Sequence, residues 1–324
     1  MARYRYESEH SEGAIGDTFL NTLTKKVKDT FGLNRVQLED FEGFYPENKL
    51  AADAEYVNVR KKGFANYGPE FSAQEIARME KAKKMSDLME AIIIDPKVIR
   101  SWYGQPKADG TKSLEVNSMG TSELDDYANG VDVVWELKQE QEGVTHLALG
   151  VDVTYSSSFE DKLQFIKGDI QAGTLANVEY FLPRWGDIQG KILQIPRAVV
   201  GVDATRLSQL AVYWARLDER MDDMANDPSQ LIILEEIMMQ LPVYESYANQ
   251  IGQVAVAEKI STSLKRFERL YNMSKAKLNI PKDIIMEDKV LQTLQEYLRN
   301  FQDLPVKHST GKLREDINRK HGVK

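Results

Sequence analysis

The sequence predicts a mixed α/β core followed by an α-helical C-terminal extension. Three observations predict it. Residues 131–138 and 146–155 alternate apolar and polar side chains with the period of a half-buried strand. Segments of helical period stand before and after that pair. From Thr205 onward the apolar spacing is helical throughout.

The elements follow in chain order. In residues 11–32, Ile15, Phe19, Leu23 and Val27 recur every four residues, and Gly32 suits a helix end. Residues 33–71 carry scattered Gly, Pro and aromatics, with 54–68 expected as a strand and turn. Residues 72–94 form the second helix. Ser72 and Glu75 make a capping-box pattern, and Asp95-Pro96 ends or bends it. Residues 104–113, "GQPKADGTKS", read as a loop. The two alternating strands are joined by the turn "QEQEG". In the first, Val131, Val133, Trp135 and Leu137 face opposite to Asp132, Val134, Glu136 and Lys138. A helix at 157–173, a short segment at 177–182 and one buried strand at 192–203 complete the core. Four helices are expected at 204–225, 228–250, 254–278 and 281–302, with Pro228 and Pro281 near first helical positions. The last twenty residues are polar and expected to be mobile.

Composition narrows the function classes. The 324 residues are 42% hydrophobic and 28% charged, typical of a globular protein able to bury a full core. There is no cysteine, which excludes disulfides, thiolate zinc sites and cysteine nucleophiles and fits a cytoplasmic location. No apolar run has the length of a membrane span, and the N-terminus shows no secretory signal. A formal net charge of −8 means that nucleic-acid binding would rest on local basic groups. Lys25, Lys26 and Lys28, Lys61 with Lys62, and Lys265, Arg266 and Arg269 are such clusters, and each also fits a solvated face. His10, His146, His308 and His321 have no metal-ligand spacing, and no phosphate-binding glycine fingerprint is present.

The chemistry centres on Val-Asp-Val, which occurs twice, around Asp132 and around Asp152. A carboxylate inside an apolar run is costly unless paired, hydrogen-bonded or bound to a cation. If the strands pair, Asp132 and Asp152 fall on one side of the sheet near its end, where direct cross-strand neighbours are about 5 Å apart. Two such carboxylates form a hard oxygen site suited to magnesium or manganese. The plainer reading has each Asp capping a strand end or pairing with a lysine.

Asp132, the hairpin, Asp152-Val153-Thr154 and the lysine-bearing helix after them resemble the PD-(D/E)xK nuclease superfamily. The preceding "TSELDDYANGVD" is similar to the approach to its first aspartate, "SEGAIGDTFLNTL" to its first core helix, and "ILQIPRAVVGVD" to the strand after its second core helix. The resemblance covers residues 11–205 with an insertion at about 33–110, and implies a restriction-endonuclease-like mixed sheet flanked by helices. It leaves outside it a helical extension at 206–304 and a polar tail at 305–324. It implies a metal-dependent hydrolysis of phosphodiester bonds in DNA or RNA. Asp132 and Asp152 would be metal ligands for Mg2+ or Mn2+, with Glu12 or Asp17 as the acid of the first helix.

Thr154 stands where the family has its lysine, and threonine cannot carry that charge. Lys162 or Lys167, on the following helix, would replace it, with Lys162 nearer the helix start. Lys167, Thr154 and Ser156 are placed as contacts to nucleic acid. The alternative is a catalytically degenerate nuclease-like fold that binds nucleic acid or assembles with protein. A protein partner or second copy would dock through the C-terminal helices.

Overall fold

The computed structural model describes residues 16–65, 71–104, 114–139, 143–152, 157–185, 189–278, 280–307 and 312–323. The chain begins with α1 (Asp17–Asn34), a 3-10 turn at Leu38–Phe41, α2 (Glu47–Ala65), α3 (Ala73–Ile94) and α4 (Pro96–Tyr103). A meander follows: β1 (Leu114–Gly120), a π-helical turn at Asp125–Asn129, β2 (Val133–Gln139) and β3 (Gly143–Asp152). Next come α5 (Ser157–Gln171), β4 (Ala176–Phe181), β5 (Gly190–Ile195) and β6 (Arg197–Gly201). The remainder is helical: α6 (Ala204–Ala215), α7 (Met221–Ala225), α8 (Ser229–Gln250), α9 (Val254–Leu278), α10 (Lys282–Met286), α11 (Lys289–Arg299) and α12 (Lys312–Lys320). The mixed α/β class expected from the sequence is observed.

The main sheet has the order β1-β2-β3-β6. β2 is antiparallel to both β1 and β3, whereas β3 and β6 run parallel, with Asp152 opposite Gly201. A parallel pair needs a crossover, and α5 lies in that connection. β4 and β5 make a separate antiparallel pair. The period-2 pattern sorts the two sheet faces. Val133, Trp135, Leu137, Leu147, Leu149 and Val151 join the main core with α3, α4, α8 and α9, while Val134 and Ala148 pack against β4 and β5. Val131 joins this second group because it precedes β2, so its expected place beside Val133 and Trp135 is corrected.

α3 carries an uninterrupted buried stretch from Leu88 to Ile94. Such a segment is surrounded rather than amphipathic, and α3 indeed contacts α1, α4, α6 and the sheet. The expected Ser72–Glu75 capping box is present, and Asp95 caps α4 with Pro96 at its first turn. At the far edge of the sheet, β6 exposes backbone groups that need partners. Side chains of α8 supply them: Val199 N donates to Gln240 Oε1 at 2.8 Å, Gln240 Nε2 donates to the Val199 carbonyl at 2.7 Å, and Gly201 N donates to Glu236 Oε2 at 2.8 Å. Buried polar groups on α8 thereby close the sheet edge and join the helical segment to the core.

Several expected elements differ. Residues 54–65 are helical, not strand and turn: Ala52, Tyr56 and Val57 turn inward at helical spacing while Val59 is exposed. Residues 66–68 lie outside the described residues. The single strand expected at 192–203 is two, because Pro196 has no N–H to continue a ladder. β5 pairs with β4, and β6 with β3. The helices expected at 204–225 and 281–302 are each broken, the second where Asp288 caps α11. The polar end of the chain, expected to be mobile, contains α12, docked on α2. Ile317 is buried there, Arg314 meets Asp53 at 3.3 Å, and Lys320 and His321 hold Glu55. β1 was not foreseen, and of the loop expected at 104–113 Gly104 caps α4 while residues 105–113 lie outside the described residues.

Candidate active site

The start of β2 and the end of β3 lie side by side, as the antiparallel register requires. Asp132 is pinned there on both flanks. Its N–H donates to the Leu149 carbonyl, and its own carbonyl accepts from Thr121 N, each at 3.0 Å. The turn before it is a π-helical one, a local widening often found at functional sites. Gly130 ends that turn at φ +62°, a left-handed conformation that glycine adopts without strain. This turn re-aims the chain so that Asp126 and Asp132 converge.

The Asp132 carboxylate is half-buried. Its Oδ2 accepts from Val151 N at 2.6 Å. The Lys162 ammonium lies 3.6 Å from the same oxygen and donates to the Val151 carbonyl at 2.6 Å. Lys162 therefore bridges the carboxylate and the end of β3. On its other side Asp132 stands close enough to the carboxyl group of Asp126 to push that group up. A neighbouring carboxylate makes the ionised form of Asp126 costlier. Asp126 meets Arg35 Nη2 at 3.5 Å, and the same nitrogen meets Glu90 Oε1 at 2.6 Å.

These residues form one chain of charge: Glu90, Arg35, Asp126, Asp132, Lys162. Three acids face two cations. Burial, the largest influence, raises the carboxyl groups of Glu90 and Asp126, with Asp132 pushing both further and Arg35 opposing. Burial works against the Arg35 charge, but the surrounding carboxylates outweigh it and hold the guanidinium firmly protonated. Glu90 and Asp126 therefore hold their protons above the ordinary carboxylate range.

The structure brings together some of the residues singled out from sequence and separates others. Asp132 and Lys162 meet. Asp152 ends β3 on the adjacent strand. Its side chain lies outside the described residues, as do Glu12, Thr154 and Ser156. Asp17 is not at the site: it stands exposed at the start of α1, 3.1 Å from Lys81. Lys167 is buried elsewhere, donating to the carbonyls of Gln302 and Leu304 at 2.5 and 2.6 Å. It ties α5 to the C-terminal segment and cannot also reach a phosphate from that position. Among the described residues, no three acidic or imidazole side chains are grouped to hold a metal ion, nor is any helix long and apolar enough to cross a membrane.

Glu90, Asp126 and Arg35 were missed. Glu90 had a signal, since it is the one charge inside the apolar run "LMEAIII". Asp126 lies in "ELDDYANGVD", beside a second aspartate of different role, and nothing local distinguishes the two. Arg35 follows the end of α1, where a basic residue is unremarkable in sequence.

Beside Lys162 a cleft of about 460 Å³ opens between α2, α5, the π-helical turn and β4, and Asp126 and Lys162 both line it. Comparison with protein-family models, with curated proteins and with solved structures finds no match.

Proposed function

We propose that the chain is a divalent-cation-dependent nuclease that hydrolyses phosphodiester bonds in DNA or RNA at Asp132. The observation that carries this reading is the Lys162 ammonium, 3.6 Å from the Asp132 carboxylate at the junction of β2 and β3. A lysine from the following helix can thus take the charge that Thr154 lacks. The connectivity supports the same reading: α3 and α4 precede three antiparallel strands, α5 follows, and after the β4–β5 pair β6 runs parallel to β3. A core helix before the acid-bearing strands, a lysine-bearing helix after them and a further strand are what the resemblance implies. In this reading α3, not α1, is the first core helix, and Glu90, not Glu12 or Asp17, is its acid.

The donor set suits magnesium or manganese. Asp132 and Asp126 present hard oxygens, with Asp132 disfavouring the ionised form of Asp126, and a cation between them would relieve that repulsion. Asp132 would hold the metal, with Asp126 or Asp152 beside it. The metal supplies acidity to a bound water and neutralises charge on the phosphoryl group. Lys162 orients a water or a phosphoryl oxygen beside Asp132, and Arg35 holds the Asp126–Glu90 side of the network in place.

A second reading keeps the fold as a nucleic-acid-binding or assembly subunit without catalysis. It is favoured by Lys162 being engaged by Asp132 and Val151 within the protein itself. Cleavage and melting separate the two. Labelled single- and double-stranded oligonucleotides are incubated with Mg2+ or Mn2+, and melting is followed against metal concentration. Asp132→Asn, Asp152→Asn and Lys162→Met each cut cleavage by about 100-fold or more while leaving the fold intact. Added metal stabilises the wild type in a concentration-dependent way and not Asp132→Asn. A wild type that neither cleaves nor responds to metal overturns the nuclease reading in favour of the second.

A further inference from the structure

The cleft beside Lys162 is built for more than solvent. Its volume of about 460 Å³ falls within the roughly 300–1,000 Å³ of small-molecule sites. Lys162, Phe165 and Asp169 line it from α5. Spaced by three and four, they share one helix face. Their neighbours Leu163, Ile166 and Ile170 turn the other way into the main core. Phe165 is half-buried and belongs to none of the apolar clusters among the described residues. It lines the cleft and takes no part in those clusters.

The other walls supply complementary chemistry. Arg60 of α2 contributes a guanidinium, and Asn129 and Asn177 contribute amides. Gly150 lies on the β3 side, where an added methyl group would sit in ordinary contact with the Lys162 stem at 3.5 Å. Asp169, the acid on this α5 face, is neutralised by Arg197 at 2.9 Å. An aromatic face, amides and cations together match a base, its edge and its phosphate. The space admits one nucleotide and not the stacked pairs of a duplex.

We propose that this cleft takes a single unstacked nucleotide from a single-stranded polynucleotide, with its base on Phe165 and its phosphate toward Lys162 and Arg60. The inference rests on the nuclease reading for its placement beside Asp132, but it concerns binding and is tested without cleavage. In EDTA, the anisotropy of a fluorescein-labelled single-stranded oligonucleotide and of the matching duplex is titrated with the full chain. The single strand should bind at least about tenfold more tightly than the duplex. Phe165→Ala should weaken it by about tenfold, the scale of one lost base stack, and Phe165→Tyr should restore it. Because Phe165 lies outside the core clusters, Phe165→Ala should melt with the wild type. Arg60→Gln should weaken binding and lower its salt dependence, a second variant that does not touch Phe165. Equal binding of both forms, binding unaffected by Phe165→Ala, or no binding of either form overturns the pocket. The outcome is separable from catalysis: metal-dependent cleavage without a single-strand preference sinks the pocket alone, and a single-strand preference without cleavage sinks hydrolysis alone.

Discussion

Asp125 and Asp126 are adjacent in the chain and opposite in circumstance. Asp125 is fully buried and its carboxylate is saturated: it accepts from Ser122 Oγ at 2.8 Å, Asn129 Nδ2 at 2.7 Å, Glu179 N at 2.7 Å and Tyr180 N at 3.1 Å. These bonds tie the π-helical turn to β4. Burial raises its carboxyl group while those four donors pull it back. Asp126 instead faces a second carboxyl group and shares a guanidinium with a third. The first arrangement is what a buried acid needs for stability. The second concentrates like charge, which stability alone does not ask for. Burial of an acid thus says little until its partners are named.

The largest effect should come from breaking the saturated side. Asp125→Ala leaves buried donors without an acceptor, two of them backbone N–H groups of β4, and should cost about 3–5 kcal/mol. Urea denaturation measures it, and a loss below about 1 kcal/mol would show that the turn holds without its acid. Somewhat less should follow from Gln240→Leu at the β6 edge. The helix position tolerates leucine, but Val199 loses partners for both its N–H and its carbonyl. About 2–3 kcal/mol is expected, read by the same denaturation.

The crowded side should reveal itself through pH. The unfolded chain releases its carboxyl protons near pH 4–4.5, roughly the ordinary range. In the folded protein Glu90 is pushed up to about 8 and Asp126 to about 7. Between these limits the folded state binds more protons, so stability must fall as pH rises. It is fully present below about pH 4 and lost as pH passes through the folded values, by up to about 1.4 kcal/mol per pH unit for one proton. Glu90→Gln imitates the protonated acid and leaves two acids against two cations. Its stability should match the wild type near pH 5 and exceed it near pH 8. Denaturation midpoints at four pH values test this, and a wild type flat from pH 5 to 8 would show that Glu90 and Asp126 do not keep their protons in the folded state.

The hairpin was legible because one face of each strand is fully buried, and that fixes a long period-2 signal. Asp132 was legible for the same reason, as an acid where the pattern puts apolar neighbours. Lys162 was accessible through the chemistry a threonine could not supply. β1 escaped because "LEVNSMG" is polar and short, and only pairing with β2 and the helices behind it makes it a strand. α2 escaped because Tyr56, Val57 and Val59 carry strand-favouring side chains, and the contact with α12 overrides that preference. Arg35, just after α1, and Glu90 on α3 are far from Asp126 in sequence, so the cation and the third acid of its surroundings are set by tertiary contacts.

The smallest effect concerns Asp17, one of the two acids that the resemblance offered for the site, which the fold places elsewhere. Asp17 has a side chain 76% exposed, and Lys81, 3.1 Å away, is itself partly open to solvent. An ion pair in water is screened and weak. Asp17→Asn should therefore change stability by no more than about 0.5 kcal/mol, with a flat difference from pH 5 to 8 where Glu90→Gln has a slope. It should also leave any metal-dependent cleavage unchanged. The pair of variants asks which helix supplies the acid. If Asp17→Asn abolished cleavage while Glu90→Gln spared it, α1 would displace α3 as the first core helix of the proposed nuclease. The alternating charges from Glu90 to Lys162 would then be a structural network, no different in kind from the one around Asp125.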